Sequence, residues 1–100
     1  MLPPSITQHQ KILIQTAEAH NISYLALFGS YARGEQTQKS DVDFLVSFDE
    51  KKGLLDLIEV EQEFSKILGV KVDLITKQGL SRYIKPYIQD DLKVIYAKKS

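Results

Sequence analysis

A chain of 100 residues with 13 basic and 13 acidic side chains and 43% hydrophobic residues has room for one core and the composition of a globular domain. A net charge of zero without a basic stripe argues against gripping nucleic acid through many phosphates, so no direct nucleic-acid binding is expected. The lack of cysteine removes disulfides, thiol chemistry and sulfur-ligated zinc, and with neither a span of roughly 18 apolar residues nor a basic-then-apolar leader the expectation is a cytoplasmic protein with no membrane partner.

After Pro3 and Pro4, Ser5 and Gln8 have the spacing of a capping box, and the pattern predicts a helix over 6–20. Ile6, Leu13 and Ala17 fall on one side of it, and Asn21 can end it in a left-handed conformation. His9 and His20 stand 11 residues apart on this helix, which is not a metal-ligand spacing, and both are expected to face solvent. "ISYLALF" (22–28) reads as a buried strand bounded by Asn21 and Gly29.

A second strand over 41–48 alternates: Val42, Phe44, Val46 and Phe48 point one way, Asp41, Asp43, Leu45 and Ser47 the other. From 54 to 68 the period becomes helical, with Leu54, Leu57, Ile58, Phe64, Ile67 and Leu68 on one stripe and Gly69 as the stop. A third strand over 70–76 is interrupted by Asp73. A short helix or two turns spans Ser81 to Asp91, with Pro86 best placed in a first turn, and a fourth strand covers 93–97. Tyr83, Ile84, Tyr87 and Ile88 recur at helical spacing, which suits core or, where exposed, a partner or dimer surface. The order of elements implies one domain over 1–100, an α/β sheet with helices on one face or both.

The chemistry gathers between 27 and 46, "LFGSYARGEQTQKSDVDFLV". A strand that ends in Gly29-Ser30 and leads into "YARGE" offers a helix start with free N–H groups, a backbone open to close approach and a hydroxyl for a phosphate oxygen. It is not a Walker A loop, because Glu35 occupies the lysine position. Asp41 and Asp43 share a strand face with side chains about 7 Å apart by strand rise. Drawn together to ~4 Å they would repel by roughly 4 kcal/mol at an effective dielectric of 20. A hard divalent cation that shares carboxylate and phosphate oxygens relieves that conflict. Asp73 can join them if the third strand lies beside the second. Structural roles compete for each acid: Asp41 can cap a turn with Ser40, Asp43 can pair with Arg33, and Asp73 with Lys71 or Lys93.

Gly29-Ser30, ten intervening residues, then Asp41-x-Asp43 resembles the G-S-x10-D-x-D signature of the DNA polymerase beta-like nucleotidyltransferases. "FGSYARGE", "SDVDFLV" and "VDLIT" together resemble the minimal nucleotidyltransferases that partner HEPN toxins, over nearly the whole chain. The resemblance implies an α/β (α+β) fold with a small mixed sheet of about four strands flanked by helices. It implies that Gly29 and Ser30 contact the triphosphate of ATP, that Asp41 and Asp43 hold two magnesium ions, and that Asp73 is a third metal ligand or the general base. Arg33 fits the string either as a phosphate contact or, the preferred reading, as a lock on the turn through an acid. The implied activity is transfer of AMP to a tyrosine of a HEPN toxin by its antitoxin. With no second domain expected to hold an acceptor, a macromolecular acceptor or a second copy of the chain is favoured. A non-catalytic antitoxin that merely covers its toxin and a small-molecule nucleotidyltransferase are the competing functions.

Overall fold

The computed structural model describes residues 2–80, 82–83 and 85–98. In chain order the elements are α1 (Pro4–Thr7), α2 (Gln10–Ala19), β1 (Ile22–Phe28), α3 (Ser30–Arg33), β2 (Val42–Phe48), α4 (Leu54–Leu68), β3 (Val72–Thr76), α5 (Lys85–Gln89) and β4 (Lys93–Ala97). Among the described residues no helix is long and apolar enough to cross a membrane.

The expected first helix is two pieces. Pro4, whose fixed φ suits a first helical position, starts α1 two residues early, so that Pro3 O accepts from Ile6 N and Thr7 N at 2.9 and 3.0 Å. Ser5 therefore lies inside the helix and caps nothing, and the chain breaks at Gln8-His9 before α2 begins. Ile6, Leu13 and Ala17 are buried as their spacing implies, and Asn21 adopts φ 61°. His20 does not face open solvent: it is half-buried and hydrogen-bonded through Nε2 to Glu63 of α4.

The four strands form one mixed sheet in the order β3-β2-β1-β4. β1 runs antiparallel to both β2 and β4, and β2 runs parallel to β3. A parallel pair needs a crossover, and α4 supplies it. Helices α2 and α4 cover one face, closing a core of Leu13, Leu25, Leu27, Phe44, Val60 and Phe64 with their neighbours. The rings of Phe44 and Phe64 meet edge to face at 5.6 Å, an arrangement that satisfies the ring quadrupoles.

The buried side of α4 centres on Val60 and Phe64, and two residues expected on its stripe are outside it: Leu54 is 72% exposed and Ile58 37%. At about 100° per residue they lie roughly 120° and 160° around the helix from Val60, beyond the sector that reaches the sheet. The Tyr83–Ile88 cluster is not core as a whole either. Tyr83 and Tyr87 are exposed and Ile88 is half-buried, while Ser81 and Ile84 lie outside the described residues. The segment is a five-residue helix laid on the surface, so one side only can turn inward.

Strand β3 is an edge strand, and its outward N–H groups are taken up by α4. Val72 N donates to Ser65 Oγ at 3.0 Å, and Leu74 N donates to Glu61 Oε2 at 2.8 Å. Ser65 Oγ in turn donates to Glu61 O at 2.7 Å. The helix thus pins the strand side-on and covers an edge that would otherwise invite pairing with another chain. Glu61→Ala is expected to destabilise the protein by about 1–2 kcal/mol in urea denaturation, as the half-buried Leu74 N–H loses a charged acceptor. Glu61→Gln, which keeps an acceptor oxygen, should recover most of that loss.

Candidate active site

The strand directions bring the end of β1 and the beginnings of β2 and β3 to one margin of the sheet. Phe28 is opposite Asp43 in the antiparallel pair, and Asp43 is opposite Asp73 in the parallel pair. Neighbouring strands are about 4.8 Å apart, and paired residues point to the same side, so the two carboxylates stand together. That side is the face not covered by α2 and α4.

Gly29 closes β1 and caps α3 with φ 79° and ψ −158°, a conformation that essentially only glycine adopts without strain. A Cβ at this position would sit 2.5 Å from Asp43 Oδ2, so the missing side chain is the space the carboxylate occupies. Gly29 O accepts from Ala32 N and Arg33 N at 3.0 and 3.1 Å, which fixes Ser30 as the first residue of a single helical turn. A turn this short has little macrodipole, so any attraction for an anion here must come from its leading N–H groups and the Ser30 hydroxyl.

The charges are in conflict. Burial, then the neighbouring Asp73 and Asp41, push the Asp43 carboxyl up to about 6, while the Arg33 charge pulls it down. Lys71 Nζ lies 3.8 Å from Asp41 Oδ2 and 3.9 Å from Asp73 Oδ1. These are long contacts from an exposed side chain and contribute at most about 1 kcal/mol each. Among the described residues no three acids or histidines converge as a finished metal-binding group. Asp41, Asp43 and Asp73 nevertheless fit magnesium as a donor set: they are hard oxygen ligands on one margin, under mutual repulsion. Magnesium characteristically takes one or two carboxylates and completes its shell with water and substrate phosphate.

Arg33 does not pair with Asp43. Its Nε donates to Glu35 Oε1 at 2.8 Å and its NH1 group to Asp91 Oδ2 at 2.7 Å, tying α3 to the segment after α5. Of the two roles the sequence leaves open, this geometry fits the lock on the turn. Lys71, which the sequence offers as a partner for Asp73, reaches Asp41 as well. A hollow of about 610 Å³ at the far end of β2, lined by Phe48, Lys52 and Leu57 among others, contains none of these residues.

The family model described as nucleotidyltransferase domain matches residues 8–96. A Methanocaldococcus jannaschii protein, provisionally named a protein adenylyltransferase, is 46% identical over 88 residues, 87% of either chain. The protein adenylyltransferase MntA of Thermococcus cleftensis is 43% identical over 75 residues, 75% of this chain and 73% of that one. Among solved structures, one provisionally described as a minimal nucleotidyltransferase matches with TM-score 0.77 at 28% identity, over 88% of this chain and 90% of that one. A toxin–antitoxin crystal structure with AMP-PNP has the same fold, with TM-score 0.78 at 22% identity over 90% and 74% of the two chains.

Two outcomes follow from the crowding at Asp43. Its carboxyl holds its proton to a higher pH folded than unfolded, so the stability it contributes is present in acid and is lost as pH rises through about 6. With metal absent, Asp43→Asn is expected to gain stability over wild type by about 1 kcal/mol at pH near 8, a figure discounted for the half-exposed site, and to gain little near pH 4. Paired urea titrations at the two pH values measure this. Gly29→Ala should cost about 1–3 kcal/mol through its positive φ alone, and in the double variant Asp43→Gly should relieve only the added clash.

Proposed function

The chain belongs to the nucleotidyltransferase domain family, and from that premise we propose that it transfers AMP from ATP to a tyrosine hydroxyl of a HEPN-type toxin, acting as the antitoxin of the pair. The observation that carries the reading is the pairing of Asp43 with Asp73 on an open face, with Asp43 seated against Gly29. Such a cluster opposes folding, and what it suits is a ligand that brings positive charge and phosphate together. The Thermococcus cleftensis relative is itself named an adenylyltransferase and MntA, and the like-folded antitoxin structure contains an ATP analogue. The adenylyltransferase name and the AMP-PNP support the choice of nucleotide, and the toxin–antitoxin complex supports a toxin as partner.

In this proposal the triphosphate lies along Gly29 and Ser30, where the glycine lets the phosphates approach the backbone and the Ser30 hydroxyl donates to a phosphate oxygen. Asp41 and Asp43 hold the magnesium. Bound there, magnesium supplies charge neutralisation for the triphosphate and for the departing pyrophosphate. The tyrosine oxygen attacks the α-phosphorus, the bond from that phosphorus to the bridging oxygen breaks, and pyrophosphate leaves with the electron pair. The hydroxyl proton passes to Asp73, which is half-exposed on the open face and so within reach of an acceptor presented from outside. Arg33 keeps α3 in place through Glu35 and Asp91 and does not touch the reacting atoms.

Asp41→Asn and Asp43→Asn are expected to abolish labelling of a co-expressed partner by α-labelled ATP while the proteins remain folded by circular dichroism. Asp73→Asn is expected to lose about 10²–10⁴ in kcat, with Mg-ATP affinity by calorimetry within a few-fold of wild type. Normal labelling by Asp43→Asn would remove the enzymatic proposal, and protection of cells by that variant at wild-type level would favour neutralisation by cover alone.

A further inference from the structure

The uncovered face of the sheet is not bare. Ala26 and Leu45, cross-strand partners on that face, are buried at 0% and 3% exposure, and Leu80, Leu92 and the α5 residues Lys85, Ile88 and Gln89 stand across from Leu45. Between this roof and the sheet is a cavity of about 210 Å³. Leu45 and Tyr24 line its sheet side, Ile88 and Leu92 its roof, and Lys77 and Gln89 its walls.

The cavity is in line with the carboxylates. Leu45 follows Asp43 by two residues on the same face, about 7 Å along the strand, and Tyr24 pairs with Ser47, about 7 Å further on. The hollow therefore begins one row below the acids and extends inward from them, at the distance a ribose puts between an α-phosphate and its base. We infer that this cavity receives the nucleobase of the nucleotide whose phosphates lie at Gly29, Ser30 and the acids, an inference that rests on the proposed function above.

The lining selects that ligand class. Leu45 on one side and Ile88 with Leu92 on the other offer apolar surfaces to the two faces of a flat ring. Gln89 carries both a donor and an acceptor, the pair with which an amide reads a purine edge. Lys77 Nζ stands 3.5 Å from the centroid of the Tyr24 ring, so the wall is positively charged and favours a ligand that arrives with phosphate. An acceptor tyrosine does not fit the same space. To lie that far below the acids it would have to bring its main chain into about 210 Å³ beneath α5.

Calorimetry on the full chain with magnesium and ATP, tripolyphosphate or adenosine tests the inference. Wild type is expected to bind Mg-ATP about tenfold or more tighter than Mg-tripolyphosphate, and adenosine should compete with ATP. Ile88→Trp, which fills the cavity from the roof, should reduce the ATP advantage to about twofold and leave tripolyphosphate binding unchanged; Leu45→Phe should do the same from the sheet. Equal binding of ATP and tripolyphosphate by wild type overturns the base site and leaves the phosphate site standing, whereas binding of neither removes the proposed function as well. A folded Ile88→Trp or Leu45→Phe protein that keeps the full preference for ATP also overturns the base site. If neither variant folds, the wild-type preference and the adenosine competition decide alone.

Discussion

Carboxylates on neighbouring strands repel, and much of this small molecule serves to hold Asp43 and Asp73 side by side. The register of β2 against β3 sets them opposite one another, and a slip of one residue would turn Asp73 to the covered face. Alternation in β3 opposes that slip, because Val72 and Leu74 must meet the same helices as Val42, Phe44 and Val46 of β2. On the β3 side Ser65 and Glu61 of α4 bind the outward N–H groups of Val72 and Leu74, so the strand is tied along its free edge as well as along β2. The apolar core therefore maintains a charge arrangement that would not persist by itself.

The same constraint explains why the turn after β1 has no freedom in its first residue. Asp43 fills the volume where any other residue at 29 would have a side chain, and the positive φ of Gly29 aims the backbone past it into α3. Arg33 then binds Asp91 across 58 positions of sequence, which draws the end of the α5 segment toward α3 and helps to roof the second face. The turn and the roof thus share a contact, and the cavity lies beside the aliphatic Leu45, one row beyond the acids.

Stability and function pull in opposite directions at this margin. The Asp43 carboxyl is lifted by burial and by its acidic neighbours, and Lys71, the cation bridging Asp41 and Asp73, is too exposed and too distant to offset them. Charge conflicts of this kind are tolerated when a ligand resolves them, and perturbed carboxyls of this type gather at functional sites. The stabilising contributions come from elsewhere: the interdigitated Phe44–Phe64 pair, the α2–α4 layer, and the His20–Glu63 contact that joins those two helices.

Strand alternation, the helical run from 54 to 68 and its glycine stop were legible in the residues, because each depends on local backbone geometry and a single period. So was the grouping of Asp41 and Asp43 on one face, and the place of a tight turn at Gly29. At the start of the first helix two rules compete, a serine cap and a proline at the first position, and the proline's rigid φ prevails. Leu54 and Ile58 are apolar yet exposed, because hydrophobicity marks what can be buried, whereas the angle around α4 at which the sheet ends is a property of the assembled layers. The partners of Arg33, the double reach of Lys71 and the cavity under α5 had no signature in the chain. By itself the sequence determined which residues are acid, flexible or apolar and which way each one faces within its element; only the tertiary structure decided that Asp73 stands beside Asp43, since that requires a crossover and a register set by packing over distant residues.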